Sequence, residues 1–306
     1  MNSFIGSLEV AGFPELLGGY KNMGILMRNC LDGGAGSGAT AKEMLPYLQV
    51  NGKIFAFEPF IGNFRFLDAC DPRYITVIKK ALSSQSNPKR LYVESTVTKD
   101  SQWGKAGMEG YSSLGFLIAD SCDYRPLSKL YTVECVRADD AISENHPIDF
   151  VKLDLQGGEL HALKGMGRII KEALFLWIEF TNQPGLLQFL HNEEFVIIDT
   201  TYIFFSNHTI KPDKHFHFIK NEFLSTGRPI WIGKKLLPWS NDFDDEFSFY
   251  KKKYGLIQTD IICVQKEKLA LFASALKTIT KSVPTITFPK CRCPKSIFPD
   301  EGDRSM

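Results

Sequence analysis

The chain has 306 residues, 44% hydrophobic and 23% charged, the proportions of an ordinary globular protein of one or two domains rather than a disordered or collagen-like one. Its 36 Lys and Arg against 35 Asp and Glu leave a net charge of +1, so no general basic field recruits nucleic acid. Seven cysteines (Cys30, Cys70, Cys122, Cys135, Cys263, Cys291 and Cys293) lack scaffold spacing and read as reduced thiols of a cytoplasmic protein. The first 21 residues carry no basic start followed by an apolar stretch, so no signal peptide is expected. No run approaches the ~18 apolar residues of a membrane span.

Residues 1–28 read as an N-terminal extension. From about 29 to 200, short apolar runs alternate with helical patterns, the rhythm of a doubly wound α/β fold with a mostly parallel sheet. Cys30-Leu31 leads into a glycine-rich turn, after which Ala41, Met44, Leu45 and Leu48 fall on one helix face. Asn51-Gly52 predicts a turn, and Lys53–Glu58 a second strand. Phe60–Asp68 predicts a helix stopped near Asp71-Pro72, and Tyr74–Leu82 a third strand. Residues 83–130, rich in Ser, Gly and Lys, predict an edge strand at Arg90–Glu94 and a mobile segment around Trp103–Ser113.

Tyr131–Val136 alternates like a strand, and Ile148–Leu155 is a strongly apolar one. A single helix is expected from about Gly158 to Lys171. Ala173–Phe180 shows almost no alternation, as for a strand covered on both faces. After Phe195–Ile198, residues 203–257 are dense in aromatics, His and Lys and read as an insertion. Its Trp231, Trp239, Phe243, Phe247, Phe249 and Tyr250 fit either a satellite core or a sugar-stacking wall. Thr259–Val264 resumes the sheet, so a main domain spans 29–265, followed by a helix over Lys266–Lys281 and a tail at 284–306.

The turn Asp32-Gly-Gly-Ala-Gly-Ser-Gly38 sits between a strand and an amphipathic helix, where a doubly wound sheet binds nucleotides. Gly34-x-Gly36-x-x-Ala39 also fits the loose dinucleotide fingerprint, and a loop without a ligand is the bland alternative. Glu58 ends the second strand, where an acid can accept both ribose hydroxyls, although a solvated strand-end Glu is equally ordinary in isolation.

Four segments together carry a resemblance: DGGAGSGATA at 32–41, FAFEP at 55–59, ALSS at 81–84, and DFVKLDLQGGELHALKGM at 149–166. Over about 29–200, with the strand at 259–264, the chain resembles the FkbM family of S-adenosylmethionine-dependent methyltransferases. That resemblance implies a Rossmann-like methyltransferase fold with one antiparallel strand near its C-terminal end. It implies that Asp32, Gly33, Gly34, Ala35, Gly36 and Gly38 hold the methionine part of S-adenosylmethionine. Glu58 with Pro59 would bind the ribose, and Ala81-Leu82 would lie near the adenine. The family pattern has an acid where this chain has Gln156, and usually Ala where it has Gly158. The implied reaction is O-methylation of a small-molecule or glycan acceptor.

Strand alternation puts Lys152 and Asp154 on one face, near a carboxyl strand end. They read either as a buried ion pair anchoring the sheet or as groups facing the acceptor, with Asp154 the first candidate base. Glu159 fits helix capping or substrate binding, and His161 a surface residue or a second base; Glu179 is another acid at the same edge. No metal is expected: Cys291-Arg-Cys293 lacks two further ligands at usable spacing, and His208, His215 and His217, which could mimic a metal cluster, read instead with His215-Phe-His217 as alternation on a strand. An NAD(P)-dependent oxidoreductase is the alternative activity, although no Tyr-x-x-x-Lys pair occurs; a non-catalytic cofactor-binding module is a third reading.

Overall fold

The computed structural model describes residues 4–8, 12–94, 115–117, 128–180, 185–206 and 256–279. The chain starts with β1 (Phe4–Leu8) and α1 (Phe13–Asn22), whose Pro14 suits a first helical turn because no donor is lost there. Next come β2 (Met27–Gly33), α2 (Ala39–Met44), β3 (Leu48–Phe57), α3 (Ile61–Leu67) and β4 (Ile75–Ile78). The short strands β5 (Ala81–Leu82), β6 (Lys89–Glu94), β7 (Gly115–Leu117), β8 (Ser128–Val133) and β9 (Cys135–Val136) lead to α4 (Ala138–Ala141). The main sheet resumes with β10 (Phe150–Leu153), α5 (Glu159–Lys164), α6 (Ile169–Glu172) and β11 (Phe175–Phe180). It ends with α7 (Leu186–Asn192), β12 (Phe195–Ser206), β13 (Leu256–Gln265) and α8 (Leu269–Ile279).

Eight strands form the main sheet in the order β1-β12-β13-β11-β10-β2-β3-β4. Every neighbouring pair is parallel except those made by β13, which runs against both β11 and β12. This is the doubly wound, mostly parallel sheet with one reversed strand that the sequence predicts. Alternate residues of the central strands feed two cores. Leu31, Val151, Leu153, Leu176 and Ile178 pack under α5, α6 and α7. Cys30, Phe150, Phe175 and Trp177 pack under α1, α2 and α8, where Tyr20 stacks on Phe175 at 5.6 Å. Residues 13–22, within the stretch read as an extension, therefore cover the sheet through the fully buried Leu17 and Tyr20. Burying a leucine of this kind contributes roughly 1.5–3 kcal/mol.

Several local expectations give way to tertiary packing. The helix after the glycine turn stops at Met44, and Pro46 lies in a single 3-10 turn before Leu48 opens β3. Asn51-Gly52 lies inside β3 as a bulge, with Asn51 at φ +70, a conformation Asn tolerates well. Tyr74–Leu82 divides into β4 in the main sheet and β5, which pairs with β9 instead. The predicted edge strand is the central strand of a three-stranded sheet, β7-β6-β8, and Tyr131–Val136 divides between β8, which ends at Val133, and β9.

The expected helix over 158–171 is broken into α5 and α6. A Cβ on Gly165 would stand 2.2 Å from the Ser83 carbonyl oxygen, so α5 ends where it meets the chain after β5. Asp139 then accepts hydrogen bonds from Arg168 N and Ile169 N at 3.0 and 3.3 Å, starting α6 afresh. β12 continues to Ser206, past the expected insertion boundary. The segment around Trp103–Ser113, most of 203–257 and the tail lie outside the described residues. Among the described residues no helix is long and apolar enough to cross a membrane.

Candidate active site

The ends of β2 and β10 lie side by side where the order of the sheet reverses, since β2 leads to β3 on one flank and β10 to β11 on the other. Ligands of open α/β sheets bind at such a switch point. Lys152 on β10 is in register with Asp32 on β2 and with Trp177 on β11. Beyond Gly33 the chain leaves the sheet, and Gly34 N and Ala35 N both donate to the Phe57 carbonyl at 3.0 Å. Gly34 adopts φ +78, and a Cβ on it would stand 2.0 Å from the Asp154 carbonyl oxygen. Only glycine lets the two strand ends touch there. Gly36, at φ +54, borders open space, with nothing within 4 Å of where its Cβ would be.

Glu58 follows β3 and is buried. Its Oε2 accepts from Gly36 N and its Oε1 from Phe60 N, each at 2.8 Å. Burial pushes its carboxyl up to about 7 against the downward pull of these bonds. Pro59 comes next, partly buried. Ala81 and Leu82 are buried, and the Leu82 side chain lies against Gly33. Gly38, also at positive φ, backs onto Cys70 and Leu67.

Lys152 stands among the carboxylates of this edge. Its ammonium is 3.3 Å from Asp154 Oδ2 and 3.7 Å from Asp32 Oδ1. Burial alone would lower its pKa, but the charges first of Asp154 and then of Asp32 outweigh that and hold it protonated. Asp32 is fully buried, and neither of its oxygens has a hydrogen-bond partner among the described residues. Burial raises its carboxyl to about 6 even with Lys152 beside it. Asp154 is different, because 37% of its side chain is exposed against 9% for Lys152. Burial works to raise the Asp154 pKa, but the Lys152 charge and local hydrogen bonds leave it below the usual range, an effect that solvent tempers.

Glu159 opens α5 without capping it. Its carboxylate turns back to accept from Leu155 N at 2.7 Å and Gly157 N at 3.3 Å, bracing the turn between β10 and α5. It is fully buried, and burial raises its carboxyl to about 7. Oε1 therefore braces the turn instead of capping the helix, while Oε2 is buried with no hydrogen-bond partner among the described residues. His161 lies half-buried on α5.

Two further residues join the cluster. Gln156 Nε2 donates to Asp154 Oδ1 at 2.7 Å and to Glu179 Oε2 at 2.8 Å. Asp260, which sequence reasoning missed, lies opposite Glu179 in the antiparallel register of β11 and β13. Burial and the Asp154 charge push its carboxyl to about 7. The available signal was an acid opening the apolar strand Thr259–Val264, but its neighbour is fixed only by pairing. Among the described residues no group of three His, Cys, Asp or Glu is arranged to hold a metal ion.

Among solved structures, a methyltransferase FkbM from Methylobacillus flagellatus KT is 19% identical, covering 63% of this chain and 44% of its own, with a TM-score of 0.36. The match thus spans less than half of that protein's length. A precorrin-6y C5,15-methyltransferase from Geobacter metallireducens GS-15 is 10% identical over 85% of this chain and 94% of its own, with a TM-score of 0.37. The plantazolicin methyltransferase BpumL, in complex with SAH, is 7% identical over 83% and 82%, with a TM-score of 0.33. No curated protein matches the chain. None of these likenesses bears on the acceptor. The methyltransferase FkbM domain model matches residues 32–204, more than half of the sequence and the stretch holding the glycine turn, Glu58 and Asp154. The chain belongs to the methyltransferase FkbM domain family.

Proposed function

We propose that this protein methylates a hydroxyl group, the acceptor being a sugar or glycoconjugate. S-adenosylmethionine, when bound, supplies a methyl group that its sulfonium makes electrophilic, and leaves as a neutral thioether. The residues fit that cofactor. Asp32 keeps two buried carboxylate oxygens without hydrogen-bond partners, suited to a cationic amine. Gly36, four residues on, borders open space, and Asp32 to Gly38 would hold the methionine part. Glu58 would bind the ribose, since a carboxylate has about four acceptor sites and its two backbone bonds leave capacity over. Ala81-Leu82 would border the adenine.

One observation carries the reading of the acceptor side: Asp154 is the solvent-accessible end of a charged row whose other members, Asp32 and Lys152, are buried. Lys152 keeps Asp154 ionised, and the strand end aims it to accept a hydrogen bond from an acceptor hydroxyl. A hydroxyl becomes strongly acidic as its oxygen forms the new bond to carbon, so even a weakly basic carboxylate can take that proton. Asp154 then returns the proton to solvent. The family resemblance supports the sugar or glycan class.

Calorimetry with S-adenosylhomocysteine and with NADH, followed by a labelled-methyl screen over free sugars and glycans, tests the reading. Binding of S-adenosylhomocysteine alone and label on a sugar oxygen are expected. Label only on nitrogen or carbon acceptors would overturn the O-methylation.

A further inference from the structure

Gln156 adopts φ +53, the left-handed region that residues other than Gly, Asn and Asp seldom occupy. The same turn carries its amide back over the strand ends, where one nitrogen serves two carboxylates, Asp154 at 2.7 Å and Glu179 at 2.8 Å. An amide nitrogen has two protons, so both are engaged, one on each acid. We infer that Gln156 is a positioning residue that clamps Asp154 to Glu179, so that the pair shares one proton, held on Glu179, while Asp154 stays ionised toward the acceptor. This rests on Asp154 facing the acceptor hydroxyl.

Two carboxylates gathered on one nitrogen do not both ionise cheaply, and the more deeply buried one keeps the proton. Glu179 is 3% exposed, whereas Asp154 is open to solvent and touches Lys152. The surrounding charges point the same way: burial first, and then the Asp154 charge, raise Glu179 well above the usual range. Facing the pair are Asp32 from β2, Lys152 from β10, Glu159 from α5 and Asp260 from β13. Among the described residues Lys152 is the one cation facing them, so Gln156 supplies the donors that a second cation would otherwise provide.

Gln156→Glu keeps the shape and replaces the amide with a carboxyl. Isotope-edited infrared spectra of the full chain count protonated carboxyl groups by their carbonyl stretch as pH is varied. At neutral pH the wild type should show, beside the partly protonated Glu58, Glu159 and Asp260, a protonated band that Glu179→Gln removes. Gln156→Glu should show one more, because the new carboxyl must keep its proton to lie between two acids. Its proton affinity should exceed that of an ordinary glutamate (pKa about 4.3) at least tenfold. A new carboxyl that titrates in the ordinary range would overturn the inference. If Gln156→Glu fails to fold, Gln156→Leu removes both donors, and the Asp154 midpoint should rise by about one pH unit or more. An unmoved midpoint there overturns it as well. These spectra need no acceptor, so hydroxyl methylation can fail with the clamp intact, and the clamp can fail while Asp154→Asn still lowers turnover.

Discussion

The backbone N–H of Gly36 donates to Glu58 Oε2 at 2.8 Å, so the acid at the end of β3 holds the tip of the glycine turn. The loop and the candidate ribose anchor are therefore one mechanical unit: a ligand that engages Glu58 also acts on Gly36.

Glu58→Ala should weaken S-adenosylhomocysteine binding by roughly 1.5–3 kcal/mol, the range for hydrogen bonds to a charged acceptor. The free carboxyl sits near 7, and ribose hydroxyls donate to its ionised form. Wild-type affinity should therefore be roughly tenfold weaker at pH 6 than at pH 8, a dependence that Glu58→Ala reduces to the smaller share left by Asp32. Calorimetry at the two pH values measures both effects. Equal affinity of mutant and wild type would remove the ribose assignment.

Gly34→Ala and Gly36→Ala should part company. At Gly34 a methyl would collide with the Asp154 carbonyl at 2.0 Å, on top of a left-handed backbone that costs roughly 1–2 kcal/mol for other residues. That variant should lose several degrees of melting temperature. Gly36→Ala meets no atom and carries the backbone cost alone, so it should stay folded while binding S-adenosylhomocysteine less well. Thermal melts and calorimetry on both proteins decide the matter.

Asp154→Asn should leave the fold nearly intact, because Lys152 keeps Asp32 as a counter-ion at 3.7 Å. Its turnover on a hydroxyl acceptor should drop about 100-fold or more. Lys152→Met removes the cation shared by Asp32 and Asp154, and breaking a buried pair in this way costs roughly 3–5 kcal/mol. Denaturant titration of the two variants should rank Lys152→Met as much the less stable. The opposite order would show that Asp154, not Asp32, balances the lysine.

The buried acids set a pH dependence of stability. Glu58, Glu159 and Asp260 are pushed up to about 7 and Asp32 to about 6, in each case chiefly by burial. The folded state thus holds protons that the unfolded chain has lost above pH ~4, so stability declines as pH rises from there to about 7. For the fully buried Glu159 the loss is on the order of 1–3 kcal/mol. The ligand-free protein should melt at a lower temperature at pH 8 than at pH 5, and Glu159→Gln should flatten that slope. Melting curves that rise with pH over this interval would contradict the burial of these acids.

Much of the site could be read from short-range pattern. A strand followed by Asp32-Gly-Gly and an amphipathic helix marks the turn, and a two-residue period puts Lys152 and Asp154 on one face. Such features depend only on backbone geometry within a few residues. The broken helix after Gly158 was not legible, because its cause is the Ser83 carbonyl, some 80 positions away, pressing on Gly165. Nor was the bulge at Asn51, which reads as a turn until β2 is placed beside it.

By itself, the sequence determined the α/β class, the glycine turn, the acid just after β3 and the charged pair at the end of β10, all consequences of local periodicity and glycine's freedom. The tertiary structure alone decided which charges meet. β10 lies between β2 and β11, so Asp32 stands beside Lys152 while Glu179 meets Asp154 through Gln156, although 147 residues separate Asp32 from Glu179 in the chain. β13 enters antiparallel beside β11, so Asp260 faces Glu179. Register between distant strands is set by whole-sheet packing and not by neighbours in the chain, and the proton affinities of these acids follow from that burial and pairing.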